Sequence, residues 1–110
     1  LINIWRKQMA LKTSIGDFYF YHPNLPAEEL LREFNIDVGD NEWRRTTVVK
    51  LIDRFNRSEI CNAVSVCHRK DNFNKKIGRK MALTNALKML KLPKQKKTEI
   101  WENYKKQFGL

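Results

Sequence analysis

The chain has 110 residues, with 22 Lys and Arg against 12 Asp and Glu, a formal net charge of +10. This length suits one domain with a single core, near the size at which a partner subunit helps to complete it. Hydrophobic residues make up 42% of the chain and Gly and Pro are scarce, which excludes a disordered or low-complexity polymer. No apolar run approaches the roughly 20 residues that cross a bilayer, and the N-terminus has no signal-peptide h-region. A soluble, cytoplasmic protein with no membrane contact is therefore expected. Charge is unevenly placed. Residues 1–42 carry four Lys/Arg against seven Asp/Glu, net −3, and residues 43–110 carry 18 against five, net +13. So basic a second part attracts nucleic acid, nucleotides or acidic proteins, and the asymmetry lets the acidic part of one copy meet the basic part of another.

In chain order, residues 1–15 mix strand-like and helix-like spacing of apolar residues, so the stretch is open to either structure. Asp17 to His22 form an aromatic strand, with Phe18 and Phe20 on one face and Tyr19 and Tyr21 on the other. Asn24 is placed to cap a short helix that has Pro26 in its first turn, Glu28 and Glu29 near the positive end of the dipole, and Leu30, Leu31 and Phe34 facing the core. Residues 35–41 are a turn-rich, acidic connector. Residues 43–70 then form a β-hairpin, whose strands flank a loop at Arg54 to Ser58. On its second strand the small residues Cys61, Ala63, Ser65 and Cys67 share one side. Six residues of strand separate the two cysteines by about 20 Å, which predicts free thiols rather than a disulfide. No spacing of His and Cys suggests zinc.

Residues 71–91 are the central helix, with Asp71 as the N-cap and Leu92 and Pro93 closing it. Ala82, Leu83, Ala86, Leu87, Met89 and Leu90 fall in one apolar arc, with Thr84, Asn85 and Lys88 outside it. Gly78, Ala82 and Ala86 make a line of small residues that matches the small side of the preceding strand. Arg79 projects into the same arc, where a guanidinium needs either a carboxylate from a neighbouring element or an anionic ligand. A last helix, residues 93–108, carries the stripe Ile100, Trp101, Tyr104 and Phe108. The fold class is thus α+β: an antiparallel sheet followed by two C-terminal helices, homo-oligomeric, with residues 1–42 an acidic part of undetermined structure.

No nucleophile elbow, zincin or phosphate-loop motif is present, so an enzyme is not expected, nor is a cofactor or a metal. Binding has more support. His68 and Arg69 before the central helix, Phe73 at its mouth, and Lys76, Arg79 and Lys80 in its first turns bring together an aromatic face for a base and cations for phosphates. Each has a plainer alternative as a core plug or a solvated lysine. Arg44, Arg45, Arg54, Arg57 and the Lys91–Lys97 run could instead track a nucleic-acid backbone.

Cys67, Asp71, Phe73, Gly78, Arg79 and Ala82, in the pattern C-x-x-x-D-x-F-x-x-x-x-G-R-x-x-A, resemble a motif of small bacteriophage proteins, most closely the Thoeris anti-defence sponge family. The resemblance covers residues 60–90. It implies a β-rich N-terminal part and two C-terminal helices, assembly as dimers or higher oligomers, and sequestration of cyclic ADP-ribose isomers in the infected host cell without catalysis. By matching positions, Phe73 would stack on a base, Arg79 would meet a phosphate, and Asn85 would make a polar contact. A basic nucleic-acid-binding protein, or an anti-CRISPR-like inhibitor of another defence protein, is the neighbouring expectation.

Overall fold

The computed structural model describes residues 9–68 and 70–109. Five strands, three helices and their connections follow in order: β1 (Met9–Thr13), β2 (Gly16–Tyr21), β3 (Asn24–Pro26), α1 (Ala27–Phe34), β4 (Trp43–Ile52), β5 (Glu59–Val66), α2 (Lys75–Leu90) and α3 (Lys94–Phe108). All pairings are antiparallel, and the fold is α+β. β4 is the hub: β2 and then β3 lie along one of its edges and β5 along the other, with β1 outside β2. The first half of the chain is therefore part of the sheet, whose central strand comes from the second half.

The alternation in β2 decides how the layers form. Phe18 and Phe20 are fully buried on the face covered by α2 and α3, where they join Leu11, Val49, Leu51 and Ala63. Phe20 meets the edges of Tyr104 and Phe108 of α3, at centroid separations of 6.3 and 5.6 Å. The opposite face carries a smaller core, in which Leu25 and Leu30 close over Val48 and Val64 beneath α1. A two-residue turn joins β1 to β2, and Gly16 follows it at φ +137°, where a Cβ would also strike the Ile52 carbonyl.

Several expectations change in detail. The N-cap of α2 is Asn74, whose Oδ1 accepts from the Ile77 N–H at 3.1 Å, so Asp71 lies outside the helix, in a turn that returns its own N–H to the His68 carbonyl. Asn24 belongs to β3 rather than capping α1, which Pro26 opens instead. β4 begins at Trp43, where the hairpin was expected to begin, and Trp43, Arg44 and Arg45 pair there with β3. Leu31 and Met89 are exposed: Met89 lies at the edge of the apolar arc, where α2 stands beside Asn62 and Val64 at the outer edge of β5 rather than over the sheet. Leu1 to Gln8, where the early mixed pattern begins, lie outside the described residues; β1 realises the strand alternative for its later part. Both cysteines are free. No helix among the described residues is long and apolar enough to cross a membrane.

Candidate functional site

The inward row of β2 does not stop at Phe20. His22 is the next residue on that face, just past the strand end, and its Nδ1 lies 2.9 Å from the Thr47 hydroxyl of β4. Phe73, in the loop before α2, meets the imidazole edge-on at 5.6 Å. The Arg45 guanidinium lies over the Phe73 ring, 4.4 Å from its centre. α2 comes down against this corner because residue 78 is glycine: a Cβ there would overlap the Thr47 hydroxyl. The result is a cavity of about 510 Å³ between the end of the sheet and the start of α2, with Thr47, Ser65, Cys67, His68, Phe73 and Gly78 among its walls.

The electrostatics are one-sided. Burial, and then the charges of Lys75, Arg79 and Arg45, push the His22 pKa down to about 4, so the ring is neutral at physiological pH. Its Nε2 is buried without a hydrogen-bond partner. The first turn of α2 holds lysines and no acid, which sets like charge against the positive end of the helix dipole. Asp71 supplies a single carboxylate at the cavity wall.

The residues expected to form one cluster are divided among three places. His68 and Phe73 line the cavity just described. Lys76, Arg79 and Lys80 line a separate, smaller cavity of about 230 Å³ between α2 and α3, with Tyr104 and Phe108. Arg79 is half-buried there, its guanidinium 4.8 Å from the centre of the Phe108 ring, and its Nε has no partner. Among the described residues no carboxylate pairs with it, so α3 supplies an aromatic face where an acid was one alternative. Asn85 is at neither cavity: it donates to the Val64 carbonyl at 3.0 Å, on the outer edge of β5. Arg69 lies outside the described residues.

Comparison with protein-family models, curated proteins and solved structures finds no match to this chain. The site therefore has to be read from its own chemistry.

His22, Arg45, Thr47 and Ser65 were not among the residues expected at the site. His22 was legible as the third member of the inward row Phe18, Phe20, His22; the other three are ordinary strand residues until α2 is placed over them. The Cys67 thiol faces the carbonyls of His68 and Asp71, and Cys61 has its pKa raised by burial and then by Glu59. Neither arrangement sets a thiol against an imidazole base. Among the described residues no group of three His, Cys, Asp or Glu is placed to hold a metal ion. What the site offers is an aromatic ring, a neutral imidazole, hydroxyls and surrounding cations, which are groups for binding.

Proposed function

We propose that this protein binds and sequesters a phosphate-bearing cyclic nucleotide of the cyclic ADP-ribose type, without catalysis, as a homo-oligomeric phage counter-defence protein in the cytoplasm of the infected cell. The observation that supports this most is the corner around Phe73: a nucleotide-sized cavity where an aromatic ring lies under Arg45 and beside His22, in a field set by Lys75 and Arg79. Phe73 stacks on the base, Arg45 and Lys75 hold phosphate, and the hydroxyls of Thr47 and Ser65 with Asp71 meet ribose oxygens. Arg79 acts on such a ligand through its charge, since its guanidinium is spent on Phe108.

The test is calorimetry of the purified protein with cyclic ADP-ribose isomers, a cyclic dinucleotide and a short DNA duplex, at low and moderate salt, with mass spectrometry of the ligand after denaturation. Binding of one nucleotide that survives added salt, and its recovery intact, is the expected result. A response to DNA alone that fades with salt overturns the reading in favour of a nucleic-acid-binding protein. Chemical change in the recovered ligand overturns it in favour of an enzyme.

A further inference from the structure

Charge separates by layer. Residues 75–109, which form α2, α3 and their link, carry 11 Lys and Arg against two Asp and Glu, net +9, whereas residues 9–74, which form the sheet and α1, carry nine against ten, net −1. Nearly all of the protein's +10 therefore stands on two helices.

The contacts of α3 show where on the helices it stands. Lys96, Asn103 and Gln107 reach the Ser14 hydroxyl and the Lys12 and Ala10 carbonyls, so that flank of α3 faces β1. The two acids of the layer lie away from α2: Glu99 reaches Lys96, and Glu99 and Glu102 share a cavity with the exposed Gln95 and Thr98. The opposite flank meets α2, where Phe108 takes Arg79, and Lys76, Arg79 and Lys80 line the cavity that Phe108 closes with Tyr104. Lys97 and Lys105, four residues either side of Trp101, fall on that flank at the helical period, and Lys91 caps α2 at the turn between the helices. Among the described residues none of these six cations has a carboxylate partner. Lys76 and Lys80 also repel each other one turn apart, near the positive end of the α2 dipole. From Lys76 to Lys91 this strip is about 22 Å long.

We infer that this strip docks the sugar-phosphate backbone of nucleic acid, without regard to base sequence. A duplex carries about one phosphate per 1.7 Å of its axis, so a strip of this length faces about a dozen, and each contact releases a condensed counterion. Lysine favours this occupant over an acidic protein: ten of the 11 cations in the helical layer are Lys, which the cores of protein interfaces avoid in favour of Arg and aromatic anchors. The large exposed apolar side chains of α2, Ile77, Met81 and Met89, stand on its other flank beside β5, and α3 has none. The strip offers charge to phosphates and little to a base edge, since Arg79 lies on Phe108, and Asn103 and Gln107 are bonded to β1. The Phe73 cavity opens on the other flank of α2, with Ile77 and Met81 in its wall, so the inference stands independently of the nucleotide reading.

The experiment is fluorescence anisotropy of the full chain with two short labelled DNA duplexes of unrelated sequence, between about 50 and 200 mM salt. The expected result is equal affinity for the two, falling with a slope of log K on log salt of about −4, as for four or five phosphate contacts. Lys80→Ala combined with Lys97→Ala, at an unchanged melting temperature, weakens binding by about tenfold and brings the slope to about −2. Lys12→Ala combined with Arg32→Ala takes the same charge from β1 and α1 and leaves the slope near −4. Equal losses from the two pairs overturn the proposal, because net charge alone then holds the DNA. So does displacement of the duplex by poly-glutamate at equal charge concentration, which gives the strip to an acidic protein. Absence of salt-dependent binding to either duplex overturns it as well.

Discussion

Gly78 sits against the Thr47 hydroxyl so closely that no β-carbon fits between them. The contact lets α2 descend onto β4 and β5 and sets the depth of the Phe73 cavity, so a helix-weakening residue is retained for its lack of a side chain. Gly78→Ala gains about 1 kcal/mol of helix propensity and meets an overlap of about 1–3 kcal/mol, for a net destabilisation on the order of 1 kcal/mol. Urea denaturation checks this. Adding Thr47→Ala removes the obstacle, so the double variant recovers stability relative to Gly78→Ala alone. Equal losses in the single and double variants would mean that this contact does not limit the packing.

His22 gives the fold a dependence on pH. Its folded pKa, about 4, lies below the ordinary 6.5, so between those values the unfolded chain takes up a proton that the folded chain refuses. Stability is therefore level above about pH 6.5, falls as the pH drops towards about 4, and loses on the order of 2 kcal/mol across that window, allowing for partial solvent screening of a half-buried ring. Denaturation midpoints for the native protein and His22→Leu measure it, the variant losing this part of the slope. A phosphate held near Arg45 and Lys75 offsets the charges that keep the imidazole neutral. Ligand binding is therefore expected to move the His22 titration upwards, which NMR follows directly.

These relationships show how far the chain could be read without coordinates. Phe18 and Phe20 against Tyr19 and Tyr21 announce a strand with two unlike faces, and the small residues of β5 anticipate Gly78, Ala82 and Ala86, because both patterns repeat with the period of their own element. The cap of α2 was harder. Asp71 and Asn74 are equally good capping residues three positions apart, and the choice falls to Asn74 because the intervening loop carries Phe73 to His22 and Arg45, a contact made across the fold. Met89 has a wheel angle at the edge of the apolar arc and is exposed because it stands beside the outer edge of β5, near Asn62 and Val64, rather than over the sheet. β3, three residues including a proline, has no periodicity to detect. Arg79 was identified as anomalous from its position, but its partner, Phe108 of α3, is 29 residues away and was taken there for a packing residue.

Phe73 and Arg79 were expected to share one ligand and occupy different cavities, so their substitutions separate. Phe73→Ala removes the stacking ring, worth about 1–3 kcal/mol per base, and weakens nucleotide binding by about ten- to a hundredfold. Arg79→Gln removes a more distant charge and the contact with Phe108, with a smaller effect on binding and a loss of about 1 kcal/mol of stability through α3. Calorimetry and thermal unfolding of both variants decide the matter. If Arg79→Gln abolishes binding with an unchanged melting temperature, the ligand sits in the α2–α3 cavity with Lys76 and Lys80, and Phe73 is a structural plug.

Arg54 joins the two hairpins, and its loss has a calculable sign. From the β4–β5 loop its Nη2 donates to the Thr13 carbonyl at 2.6 Å and to the Asp17 carboxylate at 3.0 Å, and Asp17 is buried. Arg54→Ala leaves a buried carboxylate, on the Tyr19 face of β2, without its ion-pair partner, which costs on the order of 2 kcal/mol; the figure stays below that for a fully buried pair because Arg54 is itself half-exposed. Asp17→Asn removes the charge that has to be matched. The double variant is expected to be more stable than Arg54→Ala alone, with a coupling of about 1 kcal/mol in a double-mutant cycle measured by urea denaturation. A coupling near zero would assign the work of Arg54 to the Thr13 carbonyl, and so to holding the β1–β2 turn rather than neutralising Asp17.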